Sequence, residues 1–223
     1  MEFTLIIFLI TIGSLGVFAF FYRGAEWGSP GMNCFDGMNR LYCRFYHGLT
    51  HDQLQLPATG PAIVIANHVS GLDPVLLQAL SPRPLRFLVA KEEYERPIVH
   101  YLMKAAGCIP VDRQNNPQRA LREALLALKQ GEVIAIFPHG GIAHPVTTKR
   151  PLKGGAIRLA QKVGVPLHPV IFSNVMGAGF TLLALFFPGR VKATFATPVS
   201  CVEKSYDECM NLVAQMLNNP DEL

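Results

Sequence analysis

Charge is what this sequence is short of. Only 16% of its 223 residues are Asp, Glu, Lys or Arg, against roughly 25% in an ordinary soluble domain. Part of the surface is therefore expected to face something other than water. The formal charge is +4, but the Lys and Arg residues are scattered, with no basic helix and no aromatic stacking motif. No nucleic-acid partner is expected. The charge suits attraction to anionic lipid headgroups or to a phosphorylated substrate. The five cysteines, Cys34, Cys43, Cys108, Cys201 and Cys209, include no Cys-x-x-Cys pair. Reduced thiols in a cytosol-facing domain are expected, rather than a disulfide framework or a structural zinc site. His139 and His144 have no acidic or Cys partners at a recognised spacing, so no metal is expected either. His139-Gly140-Gly141 has the look of an esterase oxyanion loop, yet the chain has no Gly-x-Ser-x-Gly elbow, and Ser70 lacks that context. Repeats and low-complexity tracts are absent.

What the sequence does have begins with residues 3–22, an uncharged apolar run as long as the roughly 20 residues that cross a bilayer as a helix. A cleaved signal would carry a basic start and a small-residue cleavage site. Here Glu2 precedes the run, Phe20, Phe21 and Tyr22 end it, and Arg23 follows. Residues 1–23 are therefore expected to be a membrane anchor, with the cations that follow placing the main domain on the cytoplasmic face. Residues 24–55 form a linking region. Within it, Met32, Phe35, Met38, Leu41, Tyr42 and Phe45 recur at helical spacing, fitting either a helix on the membrane surface or one packed on the core.

Residues 56–223 alternate short β-branched runs with helical stretches. Strands are expected at 62–66, 85–90, 108–111, 133–137, 166–172 and 191–195. Helices are expected from Asp73 as N-cap, and over 93–106, 117–130, 155–163 and 203–217. Such alternation predicts an α/β domain, a mostly parallel central sheet flanked by helices. Residues 175–188 carry no charge and are too short to span a membrane, so they read as a core helix or as an apolar lip dipping into lipid.

Chemistry concentrates in Asn67-His68-Val69-Ser70-Gly71-Leu72-Asp73-Pro74, between a buried strand and a helix, where α/β domains place ligands. The turn can fold Asp73 back onto His68, fixing the imidazole tautomer and making the other ring nitrogen a better base. The residues alone also allow a turn histidine beside a helix cap.

The string resembles the Asn-His-x-x-x-x-Asp block of the glycerolipid acyltransferases related to 1-acylglycerol-3-phosphate acyltransferase, and three further blocks follow in the family's order. Gly107-Cys108-Ile109-Pro110-Val111-Asp112-Arg113 is similar to the second, Phe137-Pro138-His139-Gly140 to the third, and Val165-Pro166-Leu167-His168-Pro169-Val170 to the fourth. Lys153-Gly154-Gly155 looks like the Lys-x-Gly element between the last two. The resemblance spans residues 60–200. It implies no bound cofactor, acyl-CoA or acyl-carrier protein as donor, a lysolipid acceptor, and direct attack with His68 and Asp73 catalytic. Arg113, His139, Gly140 and Lys153 become the expected substrate-binding residues, the Gly140 N–H being a candidate oxyanion donor. The third block departs from the family's Phe-Pro-Glu-Gly-Thr-Arg: His139 stands for Glu, Gly141 for Thr and Ile142 for Arg. The lost guanidinium suits phosphate, which leaves the acceptor's headgroup open. The competing readings are a non-catalytic lipid-binding protein on the same fold, and a lipid hydrolase or transacylase.

Overall fold

Ala62–Ala66 (β1) has only apolar side chains and is buried on both faces, so its place is the centre of a sheet covered on both sides. The computed structural model, which describes residues 13–49, 53–142 and 151–218, puts it there. The elements are α1 (Pro30–Phe45), β1, α2 (Asp73–Leu80), β2 (Leu85–Ala90), α3 (Lys91–Tyr94), α4 (Pro97–Ala105), β3 (Ile109–Val111), α5 (Pro117–Lys129), β4 (Val133–Ile136), α6 (Gly155–Val163), β5 (Leu167–Ser173), a 3₁₀ turn at Leu183–Phe186, β6 (Lys192–Phe195) and α7 (Tyr206–Asn218). The sheet order is β3-β2-β4-β1-β5-β6. The first five strands are parallel and β6 runs antiparallel to β5.

Alternation along the strands divides the core. Ile63 and Ile65 face α5, α6 and α7 together with Ile134, Leu128, Ile157 and Val213. Val64 and Ala66 face the other way, onto Leu72, Leu76, Leu77 and Leu80 at α2. The helix expected over 93–106 divides into α3 and α4, because Pro97 has no N–H to donate and holds Arg96 extended (φ −62, ψ 125).

The apolar face of α1 points outward. Phe35, Met38 and Phe45 are exposed, whereas Asn33, Asp36 and Asn39 are buried. Hydrogen bonds explain the inversion. Asp36 Oδ2 accepts from the Gly24 and Ala25 amides (2.9 and 3.2 Å) and from Arg40 Nε (2.8 Å). Its Oδ1 accepts from Gln78 Nε2 (3.2 Å). Arg40 spends its remaining donors on the carbonyls of Ala79 and Ser81, and Asn39 donates to the Val75 carbonyl. Every polar group on the inner face has a partner on α2 or on the chain before α1, as burial requires. Gly37 lets residue 19 approach so closely that a Cβ there would fall 1.6 Å from the Ala19 oxygen.

Of the expected anchor, residues 1–12 lie outside the described residues and 13–21 are helical. Among the described residues no helix is long and apolar enough to cross a membrane. One cysteine expectation is overturned. Cys201 and Cys209 form a disulfide, because the turn into α7 folds these buried residues together at a Cα separation of 5.9 Å, within ordinary disulfide reach. Residues 175–188 form no core helix. Met176, Phe180, Leu182, Leu183, Phe186 and Phe187 are exposed, and Ala184 alone among the large and small apolar residues of the 3₁₀ turn is fully buried.

This lip is clasped by the end of α1. Tyr42 and Tyr46 donate their hydroxyls to the Leu185 and Phe186 carbonyls, and the Val191 amide donates to the His47 carbonyl. The His47 ring, wholly buried, meets both tyrosines edge to face, and neither ring nitrogen completes a hydrogen bond. Burial holds its imidazole below the ordinary value of about 6.5, and the Phe187 carbonyl only partly opposes this. Between that depressed folded value and about 6.5, the unfolded chain takes up a proton that the folded chain refuses, so stability is lost as pH falls. His168, lowered by burial in the same way, adds a contribution of the same sign. Unfolding midpoints measured from about pH 7 to pH 5 should therefore fall with acidification. His47→Phe, which keeps the aromatic clasp, should flatten the fall; an unchanged slope would show that His47 is not its source.

Candidate active site

The chain leaves β1 without losing its grip on β5. Asn67 Oδ1 accepts from the Phe172 amide (2.8 Å) and its Nδ2 donates to the Phe172 carbonyl (2.9 Å). A side chain thus completes the ladder and releases the backbone of residues 68–72 to turn. The turn is built around Asp73, which is fully buried. One carboxylate oxygen, Oδ2, accepts from the Val69 amide (2.6 Å), the Ser70 amide (2.9 Å) and His68 Nδ1 (2.8 Å). The other, Oδ1, accepts from the Ser70 hydroxyl (2.9 Å). Asp73 is therefore not the expected side-chain cap of α2. Leu72 holds the cap position, and the carboxylate faces back into the turn, away from the helix.

These partners fix the imidazole. Asp73 acts as an acceptor towards every neighbour, so His68 Nδ1 carries the hydrogen and Nε2 keeps its lone pair. Phe137, which follows β4, stacks on the imidazole at 4.2 Å and 20°, and Phe87 stacks on Phe137 at 6.0 Å. The strand order makes this contact, because β4 lies directly beside β1.

The apolar lip reaches the same turn. The Gly71 amide donates to the Phe180 carbonyl (2.9 Å) and the Gly179 amide to the Val69 carbonyl (2.8 Å). A Cβ on Gly71 would lie 2.1 Å from the Thr181 carbonyl oxygen, so only glycine fits.

The other expected site residues are only partly gathered. Lys153 sits over the third-block turn: its amide donates to the Pro138 carbonyl, and a Cβ on Gly140 would meet its Nζ at 2.8 Å. The Gly140 amide is spent on the Phe137 carbonyl (2.9 Å), which removes it as the oxyanion donor expected from the sequence. His139 turns toward α7, its Nε2 3.4 Å from Asn218 Oδ1. Arg113 follows β3, three strand positions from β1; at about 4.8 Å per strand that is roughly 14 Å along the same edge. His144 lies outside the described residues. Among the described residues no three His, Cys, Asp or Glu side chains gather as a metal site requires.

Sequence reasoning missed Ser70, Gly71 and the stacked Phe137. Ser70 left a signal: Ser-Gly-Leu-Asp fits the spacing of a capping box, in which the acid reaches back to the amide of the serine, as Asp73 does here.

A family model described as Acyltransferase matches residues 49–173, more than half of the chain. The chain belongs to the acyltransferase family. One relative, the 1-acyl-sn-glycerol-3-phosphate acyltransferase of Bacillus subtilis, is 25% identical over 150 residues, covering 67% of this chain and 72% of that protein. The enzyme of the same description from Streptococcus pneumoniae is 28% identical over 158 residues, 70% of this chain but only 57% of its own length. The crystal structure of the 1-acyl-sn-glycerophosphate (LPA) acyltransferase from Thermotoga maritima shares the fold. It has a TM-score of 0.68 and 22% identity, and the match covers 99% of this chain and 91% of that one. The acyltransferase reading of the four blocks thus holds, and the chain is an O-acyltransferase by family.

In this acyltransferase, Gly71→Ala should push the turn that holds His68 and Asp73 off the lip. Overpacking of this kind costs roughly 1–3 kcal/mol, and a misplacement of about 1 Å at a reacting group can cost roughly 100-fold in rate. Activity should fall much further than the unfolding midpoint. A stable variant of full activity would show that the close approach at Thr181 is not needed.

Proposed function

We propose that this acyltransferase moves a fatty acyl group from an acyl thioester, carried on CoA or acyl-carrier protein, to the hydroxyl of a lysophospholipid or related glycerolipid. The observation that carries this reading is the bond from His68 Nδ1 to Asp73 Oδ2, 2.8 Å long, with Asp73 buried and the imidazole partly exposed at the sheet edge. Nε2 takes the proton of the acceptor hydroxyl as its oxygen attacks the thioester carbonyl carbon. The tetrahedral intermediate collapses with cleavage of the carbon–sulfur bond, and the departing thiolate recovers the proton from the imidazolium. Asp73 stabilises that cation while it exists. No acyl-enzyme is needed.

Lys153 supplies the cation for the acceptor's phosphate in this reading, standing at the turn where Ile142 replaces the family's Arg. Arg113 is a second cation farther along the edge, while His139 and Gly140 shape the turn between strand and substrate. The protein works at a membrane, with residues 1–23 as its anchor and the catalytic domain on the cytoplasmic face. The outward apolar side chains of residues 13–21, of α1 and of the lip support lipid contact, as does the placement of the lip beside the catalytic turn.

The test is a purified preparation in detergent, given a labelled acyl thioester and a panel of lysolipids. Transfer supports the proposal; thioester hydrolysis alone would favour a hydrolase, and no turnover a binding protein. His68→Ala should lower transfer by on the order of 1000-fold without unfolding, since the side chain leaves an edge turn and not the core. Transfer at the wild-type rate by a folded His68→Ala protein would sink the mechanism.

The headgroup has its own test. Lys153→Ala should raise KM for lysophosphatidic acid by roughly tenfold or more, the value of one charge-assisted contact, with KM for the thioester unchanged. An unaltered acceptor KM would point to a neutral or zwitterionic lysolipid.

A further inference from the structure

Ser70 takes no part in the proton path just described, yet its hydroxyl is fully buried and both donates and accepts a hydrogen bond. Its oxygen accepts from the Leu72 amide (3.2 Å), which leaves the hydroxyl hydrogen to go to Asp73 Oδ1 (2.9 Å). The two oxygens of Asp73 are thereby divided. Oδ2 collects His68 Nδ1 and the amides of Val69 and Ser70, and among the described residues Oδ1 has the Ser70 hydroxyl alone. A carboxylate held at one oxygen can still rotate about its own axis; one held at both cannot. Its burial, and a hydrogen already given to a carboxylate, leave Ser70 ill placed to act as a nucleophile.

We propose that Ser70 is a positioning residue for acyl transfer. Its hydroxyl, itself steadied by the Leu72 amide, pins Oδ1 of Asp73 so that Oδ2 stays aligned on His68 while the imidazole gains and returns the acceptor's proton. The inference rests on the reading of His68 as the base. It also gives a chemical reason for serine at this point of the turn. The site needs a group that accepts from an amide and donates to a carboxylate within one side-chain length of the backbone, and a hydroxyl does both.

A double-mutant cycle tests it on the full chain in detergent, with an acyl thioester and lysophosphatidic acid. Ser70→Ala should lower kcat about tenfold, the size of a lost hydrogen bond to a charged group, and leave both KM values within about twofold. Combined with Asp73→Asn, it should cost less than about twofold further, because a residue acting through Asp73 has nothing left to act on. The acid limb of kcat/KM in Ser70→Ala should move to higher pH, since a carboxylate no longer sharing its charge with a hydroxyl holds the protonated imidazole more tightly. Ser70→Cys, close in volume and a weaker donor, should fall between wild type and Ser70→Ala. It supplies the measurement should the alanine variant not fold, and thermal midpoints for each variant separate lost fold from lost alignment. Independent, multiplying losses from Ser70→Ala and Asp73→Asn, or an acid limb that stays in place, would overturn the proposal. A dead His68→Ala alongside such independent losses removes Ser70's role alone. A His68→Ala protein with full activity removes the base and Ser70's role together.

Discussion

The turn between β1 and α2 exists because a buried carboxylate must be satisfied. Asp73 is fully enclosed and no Lys or Arg is paired with it among the described residues. Moving such a group out of water costs several kcal/mol unless donors surround it. Two amides, one hydroxyl and one imidazole do so. That demand fixes the backbone of residues 69 and 70, the rotamer of His68 and the point at which α2 begins. Packing follows from it. Leu72 and Leu76 can enter the core beside β1 only once the turn has brought α2 back against the sheet.

A second polar hub repeats this logic further out. Asp36 joins the chain before α1, α1 itself and α2 through its two oxygens. The segment thus docks on the domain by hydrogen bonds where most helices dock by apolar burial. It can then leave Phe35, Met38 and Phe45 facing outward without losing its hold. The low charge content of the sequence has its structural counterpart here, and again in the lip.

The sheet was legible because β1 and β4 are short apolar runs bounded by turn residues, and because the Asn67–Pro74 string sits directly after one of them. Helical spacing in α1 was legible too, but spacing says which residues share a face and not which face is buried; that was decided by Gln78, Val75 and Ala79, contributed by a distant helix. The same holds at Gly71, whose need for glycine comes from Thr181, far along the chain. Gly140 misled because an exposed-looking amide in a turn is free only if the turn does not use it, and this turn does. The Cys201–Cys209 pair carries no motif spacing, and it forms because a turn brings together two residues eight positions apart.

Hydrogen bonds have set lengths and directions, whereas apolar contacts slide. The clasp of Tyr42 and Tyr46 on the lip, and the two amide links from the lip to the turn after β1, connect the outward apolar side chains to His68 through directional bonds. The apolar face and the imidazole are therefore joined by contacts of set geometry. A push on that face would be passed along bonds of set length to the turn that holds His68, so the fold works as a linkage between the two.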